Sequence, residues 1–338
     1  SRVMSIKTIA EMTGLSITTV SHALNGTRPV SQRSMELINE AAAQINYRPN
    51  LAAQMMKTHR SRTVAIIIPA TEQNNSTNCF FFDVLNGAKS RLQESGYELI
   101  VSTYPESRPQ DFFSGMSILH RRWIDGILLV PPTLRYEDIA RIEDCGVPVV
   151  LVDRWVKGGK LPLVCSNNRE VTVEAMKVLY QAGRRRIAFI GADFPNSTAV
   201  ERYQGYLDVL EELGLPRDEL LICRMDAYSM SCGMEAARRV LGAGADAIFA
   251  ANSMLCLGTV KELQEQGIHV PEQVAVIGFD NYEWTEITNP PLTAVTQNAS
   301  LMGRTASELL LQLLDGKQPE QRVVRIPAAL TIRQSHGL

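Results

Sequence analysis

Nowhere in the 338 residues is there an apolar run near the roughly 18 residues that a membrane-crossing helix needs, so no membrane partner is expected. The first residues are polar and lack the apolar centre of an export signal, which leads to the expectation of a cytoplasmic protein. Six cysteines (Cys79, Cys145, Cys165, Cys223, Cys232, Cys256) are scattered with no Cys-x-x-Cys pair, and the five histidines lie far apart. Reduced, mostly buried thiols are therefore expected, with no metal and no cofactor. A P-loop lysine pattern is missing. Gly242-Ala243-Gly244 follows a helical stretch and precedes a strand, the reverse of the order a dinucleotide-binding loop needs, which argues against an enzyme. No heptad segment follows the last strand candidate, so a homodimer is expected rather than a tetramer.

What is present is uneven in charge. From Ser1 to Arg62 there are 8 Lys/Arg against Glu11, Glu36 and Glu40, a balance of +5, while the remainder carries 26 basic and 33 acidic residues. A basic head on an acidic body suggests that only the head approaches a polyanion.

Within that head, Ile6 to Met12 carries apolar residues at helical spacing, and Thr13-Gly14-Leu15 interrupts it. Ser16 is a good N-cap for Ile17 to Leu24, which puts Val20, Ala23 and Leu24 on one face and Ile17, Thr18, Ser21 and His22 on the other. Asn25-Gly26 ends it, and Ser31 begins a third helix through Gln44 with Met35, Ile38, Ala42 and Ile45 inward. Two helices joined at a glycine make a helix-turn-helix, whose second helix offers its N-terminal residues to base edges in the major groove. Thr18, Ser21 and His22 supply hydrogen-bonding groups, and Ile17 suits a thymine methyl. The pattern alone also fits an ordinary amphipathic pair in a core; the charge favours DNA. After Pro49, Leu51 to Lys57 is too short to be a stable helix by itself.

Ile6-Lys7-Thr8-Ile9-Ala10, Gly14-Leu15-Ser16, Thr19-Val20-Ser21, Asn25-Gly26, Val30-Ser31 and Asn46-Tyr47-Arg48-Pro49-Asn50 together resemble the DNA-binding headpiece of the LacI/GalR family of bacterial transcription repressors. The resemblance implies that Ile17, Thr18 and His22 read bases, that Ser16, Thr19, Ser21 and Asn25 support or position, and that residues 49–62 form a hinge helix and linker. Ala53 and Met56 would then enter the DNA minor groove, with Met56 as the apolar wedge where leucine is common. The alternative is that Met55 and Met56 pack against the body.

From Thr63 short β-branched runs alternate with helical stretches: 64–68, 97–101, 127–130 and 147–152, then 186–190, 221–223, 247–250 and 274–278. This predicts an α/β core (63–338) of two doubly wound parallel-sheet subdomains, about 63–165 plus 296–326 and about 166–293 plus 328–338. A late segment (295–314) and a final strand (325–334) are expected to return across both. Gly278-Phe279-Asp280, Pro290 to Val295 and Leu330 to Ser335 resemble the family's effector core, which is shaped like a periplasmic sugar-binding protein. Such a protein on its own would require an export signal and no basic headpiece.

Ligands of open parallel sheets lie beyond the carboxyl ends of the strands. The candidates there are Phe80, Phe81 and Phe82, Asp153, Arg154, Arg202, Asp226, Asn252, Asp280 and Trp284. Asp280, Asn252 and Arg202 are suited to sugar hydroxyls, and a phenylalanine or Trp284 to the C–H face of a ring. The family resemblance likewise puts Arg202, Asn252 and Asp280 in the effector pocket. The bland alternatives are a surface ion pair for Arg202, a helix cap for Asn252 and a turn for Asp280. Ser253 and Asn167 stand where the family often has aspartate, and Arg184 where histidine is usual; extra arginine near a cleft is compatible with an acidic sugar. The expected function is a sequence-specific DNA-binding repressor, controlled by a small effector such as a sugar or sugar acid, acting on double-stranded operator DNA.

Overall fold

The structure, a computed structural model, describes residues 5–48, 60–70, 79–114, 116–120 and 123–337. The chain forms two units, Ser1–Ser61 and Arg62–Leu338.

In the first unit, α1 (Ile6–Thr13) is capped by Ser5 and stops at Gly14, whose φ of 69° lies in the left-handed region that glycine adopts at no steric cost. Ser16 starts α2 (Ile17–Asn25), its Oγ accepting from Thr19 N at 3.0 Å, and Ser31 starts α3 (Gln32–Gln44) in the same way. Each such cap stabilises its helix by about 1 kcal/mol. Ile9, Val20 and Ile38, one from each helix, are fully buried where the three meet. On α3 the burial centres on Ile38 and Ala41, with Met35, Ala42 and Ile45 packed around it.

The second unit runs β1 (Thr63–Ala70), α4 (Cys79–Glu94), β2 (Glu98–Pro105), β3 (Gly126–Leu129), β4 (Val149–Val152), β5 (Leu163–Ser166), α5 (Asn168–Gln181), β6 (Ile187–Ala192) and α6 (Ser197–Glu212). It continues with β7 (Ile222–Met225), α7 (Met230–Gly242), β8 (Ala247–Ala250), α8 (Ser253–Glu265), β9 (Ala275–Phe279), α9 (Glu283–Ile287), β10 (Thr293–Thr296), α10 (Ala299–Leu314), β11 (Val323–Ile326) and β12 (Ala329–Thr331). Helical stretches are expected between most of the strands; in the described parts of the connections from β2 to β3 and from β3 to β4 there are short 3-10 turns instead.

The strands make two six-stranded sheets with matching orders, β11-β5-β4-β3-β1-β2 and β12-β10-β9-β8-β6-β7. Every neighbouring pair is parallel except β10 with β12. Along β1, Val64 and Ile66 enter one core while Ala65 and Ile67 enter another; along β6, Ile187 and Phe189 separate from Ala188 and Ile190 in the same manner. Both faces are therefore covered at the middle of each sheet, which is why the central strands read as unbroken apolar runs.

Three crossovers join the halves, after β5, after β10 and between β11 and β12. The expected single final strand is two: Pro327 interrupts it, β11 finishing in the first sheet and β12 starting in the second. The crossovers are tied together, since Ser166 Oγ donates to Gln297 Oε1 at 2.7 Å and Ala328 N donates to Asn167 Oδ1 at 2.7 Å. The amide oxygen of Asn167 thus does what a carboxylate would do there.

Candidate functional site

Two places gather polar chemistry, one on each unit. On α2 the inward Val20 and Ala23 fix the helix against its neighbours and leave Ile17 (53% exposed) and Thr18 outward. Ser16 is committed to its cap and lies 2.8 Å from Thr19 Oγ1; Asn25 Nδ2 donates to Ser21 Oγ at 3.1 Å. His22 Nδ1 lies 2.7 Å from Thr27 Oγ1, so the ring is held from the turn that follows the helix. Ala53 and Met56 lie outside the described residues.

The second place is a cavity of the core unit with about 780 Å3 of open space, the solvent at its mouth included. Strand ends of both sheets supply its lining. Asp153 follows β4 and Asp280 follows β9, the third strand of each sheet as ordered above, and both take positive φ, 70° and 72°. Left-handed backbone at a residue other than glycine costs about 1 kcal/mol or more, and is found where a site over-determines it. Here two matched positions, one from each half, carry that strain.

Asp153 is 4% exposed, its Oδ1 has no hydrogen-bond partner, and burial lifts its carboxyl from the ordinary 3.8 to about 6. The cations of Arg154 and Arg202 oppose that rise, while Asp280 and Glu106 add to it. Burial also raises the Asp280 carboxyl, against the pull of Arg202 and a 2.7 Å bond from Gln297 Nε2. Arg154 is committed to Glu106, with Nη1 to Oε1 at 3.0 Å and Nη2 to Oε2 at 3.1 Å, while its Nε makes no hydrogen bond and lies 3.7 Å from Asp153 Oδ2. Glu106 in turn accepts from Asn196 Nδ2 at 3.1 Å, which joins the two halves across the cleft, as does the 3.0 Å bond from Trp155 N to Ser197 Oγ.

Arg202 is 8% exposed. Its Nε donates to Asn168 Oδ1 at 3.0 Å, its Nη1 to the Ala251 carbonyl at 2.8 Å, and its guanidinium lies 3.6 Å from the centre of the Phe279 ring. It is no surface ion pair. Asn252 Oδ1 caps α8 through Met254 N and Leu255 N, and the residue also lines the cavity beside Ser253.

Phe80 and Phe81 line the cavity. Phe82 does not: α4 turns it 62% out to solvent. Trp284 packs on the second sheet's core between α7, α8 and the strands, and Asp226 is exposed; neither lines the cavity. Arg184 to Arg186 sit where β6 begins, at the opposite end of the sheet. There Arg184 holds the Asp246 and Pro271 carbonyls, Arg185 lies over Tyr180, and Arg186 pairs with Asp218, so the arginine run brings no cation to the cleft. Glu106, Tyr228, Tyr282 and Gln297 line the cavity and were outside the sequence candidates. Gln297 carries a readable signal, since it lies just past the end of β10, whereas Glu106 follows a strand whose last residues do not read as one.

Residues 5–50 match the family model of bacterial regulatory proteins, lacI family, and residues 176–336 match that of a periplasmic binding protein-like domain. A relative along the whole length is the HTH-type transcriptional repressor PurR of Vibrio atlanticus, 31% identical over 98% of both chains. The chain belongs to the LacI/GalR family of transcriptional regulators. PurR of Vibrio cholerae is 30% identical over 98% of this chain and 97% of that one. Among solved structures, a complex of the regulator CelR with cellobiose is 29% identical with a TM-score of 0.70, covering 98% of this chain and 99% of that chain. The Lac repressor dimer bound to operator and the anti-inducer ONPF is similar in fold, with a TM-score of 0.84 at 23% identity and 99% coverage of both. As a LacI-family protein this chain is a DNA-binding transcriptional repressor with an effector-binding domain, and its relatives are repressors, not enzymes. Among the described residues, no helix is long and apolar enough to cross a membrane.

Proposed function

We propose that this repressor works in the cytoplasm as a homodimer whose two headpieces read a near-palindromic operator, and that the cleft binds a neutral, hydroxyl-rich effector of the sugar type. Ile17, Thr18 and His22 read bases, Ser16, Thr19, Ser21 and Asn25 position the helix, and Ala53 and Met56 act in the minor groove. Effector bound between the halves alters the headpieces' operator affinity, a coupling of two distinct sites.

The observation that carries the effector class is the charge and hydrogen-bonding state of the cleft. Glu106, Asp153 and Asp280 face Arg154 and Arg202, so carboxylates outnumber guanidiniums. Arg154 is held by Glu106, and two bonds of Arg202 go to Asn168 and Ala251. What the cleft lacks are donors for Asp153 Oδ1, and a hydroxyl supplies one. A sugar acid would instead bring another carboxylate beside two already held up by burial. The CelR complex with cellobiose agrees with a neutral sugar.

The test is a calorimetric screen of the full chain against neutral mono- and disaccharides, the matching uronic and aldonic acids, and nucleobases. A neutral sugar binding the parent and at least about 10-fold more weakly to Asp153→Asn is expected. Preferential binding of an acid or a nucleobase overturns the class. If no ligand alters binding to selected operator fragments, the coupling itself is wrong.

A further inference from the structure

We propose that Thr27, in the turn after the recognition helix, is a positioning residue that makes His22 a one-donor reader of an acceptor-rich base edge, guanine above all. The inference rests on His22 facing the bases, as proposed above. A free histidine ring presents two nitrogens and rotates about two side-chain bonds, which makes it a poor discriminator. Here the ring is not free. Nδ1 lies 2.7 Å from the Thr27 hydroxyl, and the backbone of Thr27 is fixed in turn, its N–H donating to the His22 carbonyl at 3.2 Å. The turn itself is set by Gly26, which at φ 60° closes α2 with its N–H on the Ala23 carbonyl. With Nδ1 occupied, Nε2 is the ring's remaining polar atom.

The partner on one nitrogen decides what the other carries. When the hydroxyl donates to Nδ1, the proton sits on Nε2; when the ring is protonated, Nδ1–H donates to the hydroxyl and Nε2 again carries a proton. Of the three proton arrangements open to this ring–hydroxyl pair, two present Nε2 as a donor. In the major groove guanine offers two adjacent acceptors, N7 and O6, whereas adenine pairs its N7 with a donor.

The experiment is selection of bound duplexes from a random-sequence library by the full chain, followed by binding of single-base operator variants, for the parent, His22→Ala, Thr27→Val and Thr27→Ser. Valine matches threonine in shape without the hydroxyl; serine keeps the hydroxyl. The expected result is one symmetry-related base position with a guanine preference that His22→Ala erases. Thr27→Val reduces it roughly 3- to 10-fold, the size of one lost hydrogen bond, with all other positions unchanged, and Thr27→Ser keeps it. Thr27→Val leaving that position unchanged, or weakening all positions alike, or Thr27→Ser failing as Thr27→Val does, overturns the role of Thr27. A preference for adenine or cytosine at the His22 position overturns the donor assignment. An even response of all positions to His22→Ala removes the base-reading role of His22 itself, a distinguishable failure.

Discussion

Asp153→Asn isolates the cost of the strained, buried carboxylate. Its carboxyl is raised by burial from 3.8 to about 6, a difference that corresponds to about 3 kcal/mol of unfavourable free energy for the ionised form in the folded state. Because the folded value lies above the unfolded one, the folded protein binds more protons between these values, and stability falls as pH rises through that window. Above about pH 6 the full cost is present; below about pH 3.8 it is absent. Asparagine has nearly the same shape, carries no charge, and tolerates the left-handed backbone at φ 70°. At about pH 7.5 the variant is expected to be more stable than the parent by about 1–3 kcal/mol, with the gap closing on acidification toward pH 4. All three tryptophans, Trp123, Trp155 and Trp284, lie in the core unit, so tryptophan fluorescence during urea unfolding reports that unit alone. A variant less stable than the parent at about pH 7.5, or a gap independent of pH, refutes the reasoning. Effector binding is expected to weaken at the same time, because function depends on the costly group.

Arg202→Ala leaves Asn168 Oδ1 and the Ala251 carbonyl without their donor, so the core loses about 1–3 kcal/mol in urea unfolding, and effector no longer alters operator binding in a gel-shift titration. His22→Ala is expected to change affinity at one operator position, whereas Arg33→Ala, which removes a positive charge from the first turn of α3, is expected to lower affinity evenly and to reduce the salt slope by about 1. Sedimentation of the pure chain gives twice its 37.5 kDa mass; a concentration-independent monomer contradicts the dimer. A Cβ on Gly258 would collide with the Met230 carbonyl and the Gly233 backbone, where α7 and α8 meet, so Gly258→Ala destabilises the core by about 1–3 kcal/mol, read from the same fluorescence transition.

How much of this was legible depended on how far each segment's local pattern agreed with its packing. The headpiece was readable almost residue by residue, since a capping serine, a helical stripe and a terminal glycine coincide in each of the first two helices. Asp153, Arg202, Asn252 and Asp280 were reachable because apolar strands end sharply before them or a helix begins there. Glu106 was not. Its strand reads as ending at Val101, whereas it continues through Ser102, Thr103 and Pro105; an edge strand needs neither full burial nor every N–H, so its last residues carry no strand signal. Phe82 and Trp284 failed for another reason: nearness in sequence to a strand end does not set the direction in which a helix turns a side chain. The arginine run misled through composition, its charge being spent on carbonyls and on Asp218 at the far end of the sheet.

The strain at Asp153 and Asp280 has a mechanical reading once the crossovers are included. A ligand changes the balance between two arrangements only through a difference in its interactions with them. Hydroxyls that donate to both aspartates meet that condition, because the two carboxylates belong to different halves and are served together only when the halves are close. Recovering even about 2.7 kcal/mol of the burial cost changes such a ratio about 100-fold. Gln297 carries that change outward: it lies in the second crossover, donates to Asp280 at 2.7 Å and accepts from Ser166 of the first crossover at 2.7 Å. One side chain therefore touches both a cavity-lining carboxylate and the connections between the halves, so any ligand that altered the hydrogen bonding of Asp280 would reach the crossovers directly. Gln297→Leu, which keeps the bulk and removes both bonds, is accordingly expected to leave effector binding within about 10-fold while reducing the effect of effector on operator affinity. Loss of binding and coupling in equal measure would place Gln297 in the pocket alone.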